Sequence, residues 1–121
     1  MGSMTLINER YDVKTFQVIL RVLLFFVSDQ DMGDIRFKGK HIIITGAGGN
    51  FGREGCLFFA SKGCKVTALD LNQDALDETH RQVKLVSGDI LCIKCDICSS
   101  DAVDSSIEKA SGVFGVPDLL W

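Results

Sequence analysis

The sequence has 121 residues, which is enough for one domain with a modest hydrophobic core. Apolar residues make up 46% of it and charged residues 24%, proportions typical of an ordinary globular protein and unlike those of a low-complexity chain. The formal net charge of −3 gives no general attraction to nucleic acid or to an anionic membrane, so we expect neither as a partner.

Residues 1–31 differ in character from the rest and are interpreted as an atypical extension, either helical or disordered. Within them, residues 15–27 form an apolar stretch that is too short to span a bilayer and contains Arg21, which would be costly inside one. Apolar residues recur there at helical spacing, which leaves open a helix that packs on protein or lies on a membrane surface. A secretory signal is disfavoured because acidic residues dilute the basic flank and no small-residue cleavage site follows. We place the domain itself at residues 32–121.

From residue 40 onward, predicted strands alternate with predicted helices. The strands are predicted at residues 41–45, 65–69, 90–95 and 117–121, and the helices at residues 53–62, 72–86 and between 99 and 114. Asn72 is predicted to cap the second helix, and Ser99 or Ser100 the third, whose apolar face carries Val103, Ile107 and Ala110. Strands that alternate with helices of about a dozen residues favour right-handed βαβ units around a parallel sheet, and therefore an α/β fold.

A glycine-rich loop, residues 45–52 (TGAGGNFG), follows the first strand and opens the first helix. Glycine suits this place because the chain turns sharply and its backbone must approach a ligand closely. The helix start offers N–H groups and the positive end of a dipole to phosphate. Asp70 ends the second strand 18 residues after Gly52, where a carboxylate can accept hydrogen bonds from a ribose. Together these features predict a dinucleotide site in a Rossmann-type, doubly wound parallel sheet; the alternative is a glycine turn in another α/β protein, with Asp70 on its surface.

The residue sequence of the loop is similar to that of one protein family. It does not fit the general G-x-G-x-x-G pattern, because Phe51 stands at the last glycine. It resembles the T-G-x-x-x-G-x-G loop of short-chain dehydrogenases/reductases, with Thr45, Gly46 and Gly52 matching. Asn50 stands where that family usually has glycine. Asparagine is the residue that best tolerates a left-handed conformation after glycine, so we expect the loop to keep its shape. The run TGAGGN followed by an apolar residue is also similar to that of xylitol-type polyol dehydrogenases.

The resemblance extends from about Phe37 to Trp121, less than half of the family's domain, so we expect a sheet truncated after about four strands. It implies that Asp96 and Ile97, after the third strand, contact an adenine ring; the alternative is an ordinary turn before a helix. The predicted cofactor-binding residues are Gly46, Gly48, Gly49, Asn50, Phe51, Gly52, Asp70, Leu71, Asp96 and Ile97.

The expected cofactor is NAD. A carboxylate at Asp70 suits the free 2′-hydroxyl of NAD and would repel the 2′-phosphate of NADP. Arginine after the strand would indicate NADP, but Leu71 and Asn72 follow instead. Arg53, just past the loop, either reaches phosphate or is an exposed residue at the start of a helix.

The resemblance also implies a reaction, hydride transfer between NAD and a secondary alcohol or ketone. In the family a serine, a tyrosine and a lysine assist that step, and the matching positions would lie beyond Trp121, as would the helices that pair subunits. The sequence has one tyrosine, Tyr11, in the atypical extension. We therefore predict the cofactor-binding portion of such an enzyme, with a small-molecule substrate in the full-length form only. The alternative is a non-catalytic nucleotide-binding or interaction fragment.

Five cysteines, an odd number, suggest free thiols in a reducing compartment, and we expect a cytoplasmic protein. The spacing of Cys92, Cys95 and Cys98 invites a metal-site interpretation. However, Cys92 and Cys95 lie three apart in a predicted strand and should point to opposite faces. Buried structural thiols are the preferred interpretation, and no metal is expected.

Overall fold

The structure is a computed structural model that describes residues 36–121 of the chain. The atypical extension at residues 1–31 and its apolar stretch lie outside the described residues. The division of the chain into an extension and a domain therefore stays a prediction.

Four parallel strands and three helices alternate along the described residues. They are β1 (His41–Thr45), α1 (Asn50–Ser61), β2 (Lys65–Asp70), α2 (Gln73–Leu85), β3 (Asp89–Lys94), α3 (Ser100–Phe114) and β4 (Leu119–Leu120). The strand order across the sheet is β3-β2-β1-β4, and every pairing is parallel. This confirms the predicted α/β fold and its Rossmann-type parallel sheet.

The helices cover both faces of the sheet. Ile42 and Ile44 of β1 pack with Leu76 of α2 and with residues of α1 in the larger apolar cluster. Ile43, one residue along, lies in a second cluster with Val103 of α3, because successive strand side chains point to opposite faces. The chain therefore winds α1 and α2 over one face and crosses to the other with α3, where strand order reverses from β3 to β4. This reversal makes the sheet doubly wound.

Two of the helices begin at residues whose side chains cap them. The side chain of Asn72 accepts a hydrogen bond from the Ala75 N–H at 3.0 Å and caps α2 as predicted. Ser99, rather than Ser100, caps α3 by accepting from the Ala102 N–H at 3.2 Å. The start of α1 differs from the prediction, since it begins at Asn50 and takes in the last residues of the glycine loop.

The end of the described chain returns to β1. Leu119 and Leu120 pair with Ile42 and Ile43, and the Trp121 N–H donates to the carbonyl of Ile43 at 2.8 Å. Among residues 36–121, no helix combines the length and the hydropathy that crossing a bilayer requires.

Candidate functional site

The glycine loop turns at the carboxyl end of β1 in a shape that strongly favours glycine. Gly46 has a φ of +63°, a conformation that side-chain-bearing residues rarely adopt. At Gly52, an added Cβ would lie 2.1 Å from the carbonyl oxygen of Gly46, which is backbone and cannot move aside cheaply. Gly52 therefore allows the first turn of α1 to press directly against the turn that leaves β1.

The loop's own N–H groups hold it in place. The Ala47 N–H donates to the carbonyl of Leu69 at 3.0 Å, and the Gly49 N–H to that of Gly46 at 3.0 Å. The Gly48 N–H donates to Oδ2 of Asp70 at 2.9 Å. These three bonds tie the loop to itself and to the end of β2, so the predicted residues Gly48 and Gly49 shape the loop.

The N-terminus of α1 faces out of this loop. Gly49 is its N-cap and provides no side-chain hydrogen bond, and its first turn carries no acidic residue. The N–H groups of a helix's first turn have no carbonyl partner within the helix, and the dipole makes this end positive, which suits an anionic group. Asn50 is the first residue of the helix and does not have a positive φ, so the loop does not require the left-handed conformation that asparagine tolerates. The reason is that the helix starts earlier than the glycine pattern suggested.

A crevice of about 280 Å³ opens beside the loop, at the carboxyl ends of β1, β2 and β3. Its lining residues are Gly46, Leu69, Asp70, Leu71, Cys95, Asp96, Ile97 and Cys98. The structure thus brings together five of the predicted site residues, Gly46, Asp70, Leu71, Asp96 and Ile97. The other five, Gly48, Gly49, Asn50, Phe51 and Gly52, lie in the loop and the first turn of α1, outside this lining.

Asp70 is the most constrained side chain of the crevice. Its Oδ2 accepts from the Gly48 N–H and its Oδ1 from the Asn72 N–H, both at 2.9 Å. Each carboxylate oxygen has two lone pairs, so both can still accept a hydrogen bond from a ligand hydroxyl. Among the described lining residues, the charged side chains are Asp70 and Asp96, and the crevice is therefore acidic.

The far wall of the crevice combines a turn with exposed apolar side chains. Oδ1 of Asp96 accepts from the Cys98 N–H at 2.9 Å, and the Asp96 carbonyl from the Ser99 N–H at 3.0 Å. This is the turn before a helix that the sequence offered as one alternative for Asp96. Leu71 and Ile97 are 62% and 59% exposed, respectively, and can flank a flat, weakly polar group.

Arg53 is partly buried, and its guanidinium lies between the loop and α2. Its Nε donates to Oγ1 of Thr79 at 2.9 Å. One terminal nitrogen donates to the carbonyls of Gly48, at 3.1 Å, and Ala75, at 3.0 Å. The interpretation of Arg53 as an exposed residue is therefore wrong, because three acceptors, two of them on α2, draw its guanidinium inward. No local sequence signal joins Arg53 to Thr79, 26 residues away.

Three of the five cysteines, Cys56, Cys64 and Cys95, are buried, whereas Cys92 is partly buried and Cys98 is exposed. Cys92 packs against the cluster under α1 and α2, whereas Cys95 lies in the cluster under α3, so the two point to opposite faces as predicted. All five cysteines are free. Burial raises the pKa of the Cys56 thiol to about 12 and that of Cys92 to about 11, with smaller contributions from neighbouring charge. Within the described part of the chain, no three His, Cys, Asp or Glu side chains gather where they could hold a metal ion.

Sequence reasoning missed three crevice residues, namely Leu69 on β2 and the two cysteines Cys95 and Cys98. The available signal for the cysteines was position, since both flank the predicted pair Asp96 and Ile97 directly after β3. Residues just past the carboxyl ends of parallel strands meet at one edge of the sheet.

Comparison with known proteins gives a consistent family. A family model described as short chain dehydrogenase matches residues 40–121. The chain is 32% identical over 87 residues to the 7alpha-hydroxysteroid dehydrogenase of Escherichia coli strain K12, covering 72% of this chain and 34% of that protein. It is 33% identical over 84 residues to the CLA biosynthesis dehydrogenase/reductase of Lactiplantibacillus plantarum, covering 69% of this chain and 29% of that protein.

Solved structures that resemble this chain indicate the same family. A hydroxysteroid dehydrogenase from Escherichia coli superposes with a TM-score of 0.70 and 31% identity, covering 74% of this chain and 38% of its own. An NAD+-bound xylitol dehydrogenase gives a TM-score of 0.67 and 33% identity, covering 69% of this chain and 32% of its own. A short chain dehydrogenase/reductase from Burkholderia phymatum in complex with NAD also gives 0.67, with 31% identity over 69% of this chain and 30% of its own. The chain spans about a third of the length of the curated relatives it matches.

Proposed function

This chain belongs to the short-chain dehydrogenase family, and from that premise we propose that it binds NAD in the crevice at the carboxyl ends of its strands. The observation that carries the proposal is the carboxylate of Asp70. It is anchored by the Gly48 N–H at 2.9 Å and lies in the crevice lining, next to the loop that opens α1. A dinucleotide presents a diphosphate and a ribose together, which matches a helix N-terminus beside a carboxylate.

The crevice and the adjoining N-terminus of α1 together suit the parts of NAD. The first turn of α1 takes the diphosphate, because its N–H groups and dipole favour negative charge. Asp70 accepts the two ribose hydroxyls of the adenosine half. The exposed side chains of Leu71 and Ile97 flank the adenine ring, and Asp96 contacts its edge.

The preference for NAD over NADP follows from charge. A 2′-phosphate would enter a crevice whose charged lining residues, Asp70 and Asp96, are both acidic, and would be repelled. Two of the solved relatives contain NAD, according to their descriptions. Arg53 does not offset this repulsion, since its guanidinium is held behind the loop by Thr79 and two carbonyls.

For the complete enzyme, we propose hydride transfer between NAD and a secondary alcohol or ketone, the nicotinamide giving or taking the hydride. The relatives are named as dehydrogenases.

A second candidate is nucleotide binding without turnover. Its supporting observation is that Tyr11 is the one tyrosine of these 121 residues, and residue 15, four positions on, is threonine. Five free cysteines support the cytoplasm as the location.

The test is binding by the purified 121-residue chain, measured by calorimetry with NAD, NADP and ADP. We expect NAD and ADP to bind and NADP to bind at least about tenfold more weakly, which corresponds to about 1.4 kcal/mol. Asp70→Ala should weaken NAD and reduce the preference over NADP. Asp70→Asn, which keeps an acceptor oxygen but removes the charge, should retain more NAD affinity than Asp70→Ala while losing part of the discrimination. Absence of NAD binding would end the proposal, and an unchanged cofactor preference in Asp70→Ala would remove Asp70 from the site.

A further inference from the structure

The glycine loop is held from behind by a pair of side chains that the proposed function leaves unexplained. Arg53 lies in the first turn of α1 and donates at 3.1 Å to the carbonyl of Gly48 in the loop. The same guanidinium donates to the carbonyl of Ala75 and to the hydroxyl of Thr79, both on α2. A single planar side chain therefore links the loop to α2 by three charge-assisted hydrogen bonds.

Thr79 completes the link. It is fully buried, and its Oγ1 accepts from Arg53 and can donate to the carbonyl of Ala47 at 2.9 Å. A second acceptor, the Ala75 carbonyl, lies 3.1 Å from the same hydroxyl. The carbonyls of two successive loop residues, Ala47 and Gly48, are thus bound from the α2 side.

The two sides of Gly48 are fixed by different groups. Its N–H donates to Asp70 and its carbonyl accepts from Arg53. A Cβ at Gly48 would lie 2.5 Å from that of Ala75, which shows how tightly the loop presses on α2. Gly48 is therefore bonded on both sides, through its N–H to the carboxylate proposed to bind ribose and through its carbonyl to Arg53.

We propose that Arg53 and Thr79 form a clamp that positions the glycine loop for the diphosphate, and that Arg53 acts on the loop carbonyl of Gly48 and not on the phosphates themselves. Both are positioning residues. The inference rests on the proposed NAD site and extends it. The clamp holds the loop and the N-terminus of α1 in their bound geometry before the nucleotide arrives, which lowers the ordering cost of binding.

The experiment uses the whole 121-residue chain and four variants. Thr79→Val removes the hydroxyl at nearly constant shape, and Thr79→Ser restores it as a rescue. Arg53→Lys keeps the charge but loses the planar fork. Arg81→Met is the matched control, since it removes a positive charge from the exposed face of α2, where Arg81 pairs with Glu78.

Two readouts are measured, the NAD affinity at several salt concentrations and amide hydrogen exchange at residues 47–49 without ligand. We expect Thr79→Val and Arg53→Lys each to weaken NAD about tenfold, the loss associated with a charge-assisted hydrogen bond. Both should also speed exchange of the Ala47, Gly48 and Gly49 N–H groups, while protection of β1 and β2 stays as in the parent chain. Thr79→Ser and Arg81→Met should remain within about twofold of the parent affinity.

The outcomes separate the clamp from simpler roles. If Thr79→Val binds NAD normally while Arg53→Lys weakens NAD binding without speeding exchange of the loop N–H groups, Arg53 contacts phosphate and the clamp is refuted. If every variant binds like the parent, the clamp is refuted and the NAD site stands. If the parent chain does not bind NAD, the proposed function fails, and loop exchange alone decides whether the clamp positions the loop. Should Thr79→Val not fold, Arg53→Lys supplies the same two readouts.

Discussion

At the scale of single residues, this site depends on backbone geometry more than on reactive side chains. Gly46 supplies a left-handed turn and Gly52 a close approach of two backbone segments. Asp70 accepts two backbone N–H groups, from Gly48 and Asn72, so its orientation is set by the loop and by the start of α2. The sequence indicated the glycines and the aspartate because each is recognisable from its own short segment, the glycines from a sharp turn and the aspartate from the end of a strand. It could not indicate Thr79, whose role exists only once α2 packs against the loop.

The first residue-scale prediction concerns Gly52. Gly52→Ala should lower the free energy of unfolding by about 3 kcal/mol, at the upper end of overpacking costs, because the added Cβ meets the backbone oxygen of Gly46. The matched control is Gly112→Ala in α3, where no atom lies within 4 Å of the added Cβ. That change should stabilise the fold by about 0.5–1 kcal/mol, since alanine is the better helix former. Urea denaturation of both variants checks this, and equal effects would contradict the close approach.

The second concerns the buried thiol of Cys56. Its pKa in the folded chain is about 12, raised by burial above the ordinary 9.0, so the folded state favours the neutral thiol. Its contribution to stability is therefore complete below pH 9 and is lost as the pH rises toward 12. We expect the urea midpoint of the parent chain to fall more steeply above pH 9 than that of Cys56→Ala. Cys98→Ala, at an exposed position, should follow the parent profile. Parallel profiles for Cys56→Ala and the parent chain would contradict this assignment.

At the scale of elements, the caps of α2 and α3 were predictable, whereas the start of α1 and part of the face of α3 were not. Asn72 caps α2, because its side chain satisfies a first-turn N–H within its own segment. The face of α3 was predicted to carry Val103, Ile107 and Ala110. Ala110 is buried, but Ile107 is 39% exposed and Ser106 is buried in its place. Ser106 can be buried because its hydroxyl donates to the Ala102 carbonyl at 2.8 Å. This hydrogen bond offsets the free-energy cost of burying a polar side chain.

The cap of α2 gives the element-scale prediction. Asn72→Ala should reduce stability by about 1 kcal/mol, because the Ala75 N–H loses its acceptor at 3.0 Å. Asn72→Asp is the control, since aspartate caps equally well and its charge complements the helix dipole. Thermal unfolding followed by circular dichroism distinguishes the two. A cap that contributes nothing would leave the midpoint of Asn72→Ala at the parent value.

At the scale of the whole molecule, the order β3-β2-β1-β4 places the glycine loop at the point where the winding reverses. The loop and the ends of β2 and β3 converge there, at the place where parallel α/β sheets bind ligands. The edge strand β4 leaves Leu119 and Leu120 41% and 75% exposed. Trp121, 42% exposed, packs edge-to-face on Phe59 with ring centroids 5.6 Å apart, so it is partly covered by α1.

The last prediction concerns turnover. The 121-residue chain should bind NAD yet show no NAD reduction with secondary alcohols, because the sequence contains no Tyr-x-x-x-Lys arrangement to transfer the proton. Absorbance at the reduced-nicotinamide band during incubation with a panel of alcohols measures this. The control is NAD binding by the same preparation, which shows that the protein is folded. Sustained NAD reduction that follows the protein through purification would overturn the prediction.

The sequence by itself determined the alternation of strands and helices, the glycine loop and the aspartate at the end of β2. Each of these follows from local propensity, hydrophobic period or the steric demand of one turn. Only the tertiary structure decided that α1 begins at Asn50, that Arg53 turns inward to Thr79, and that Cys95 and Cys98 line the crevice. The contact between Arg53 and Thr79 joins segments 26 residues apart and leaves no periodic or local pattern in the sequence. Cys95 and Cys98 line the crevice only because the carboxyl ends of β1, β2 and β3 meet at one edge of the folded sheet.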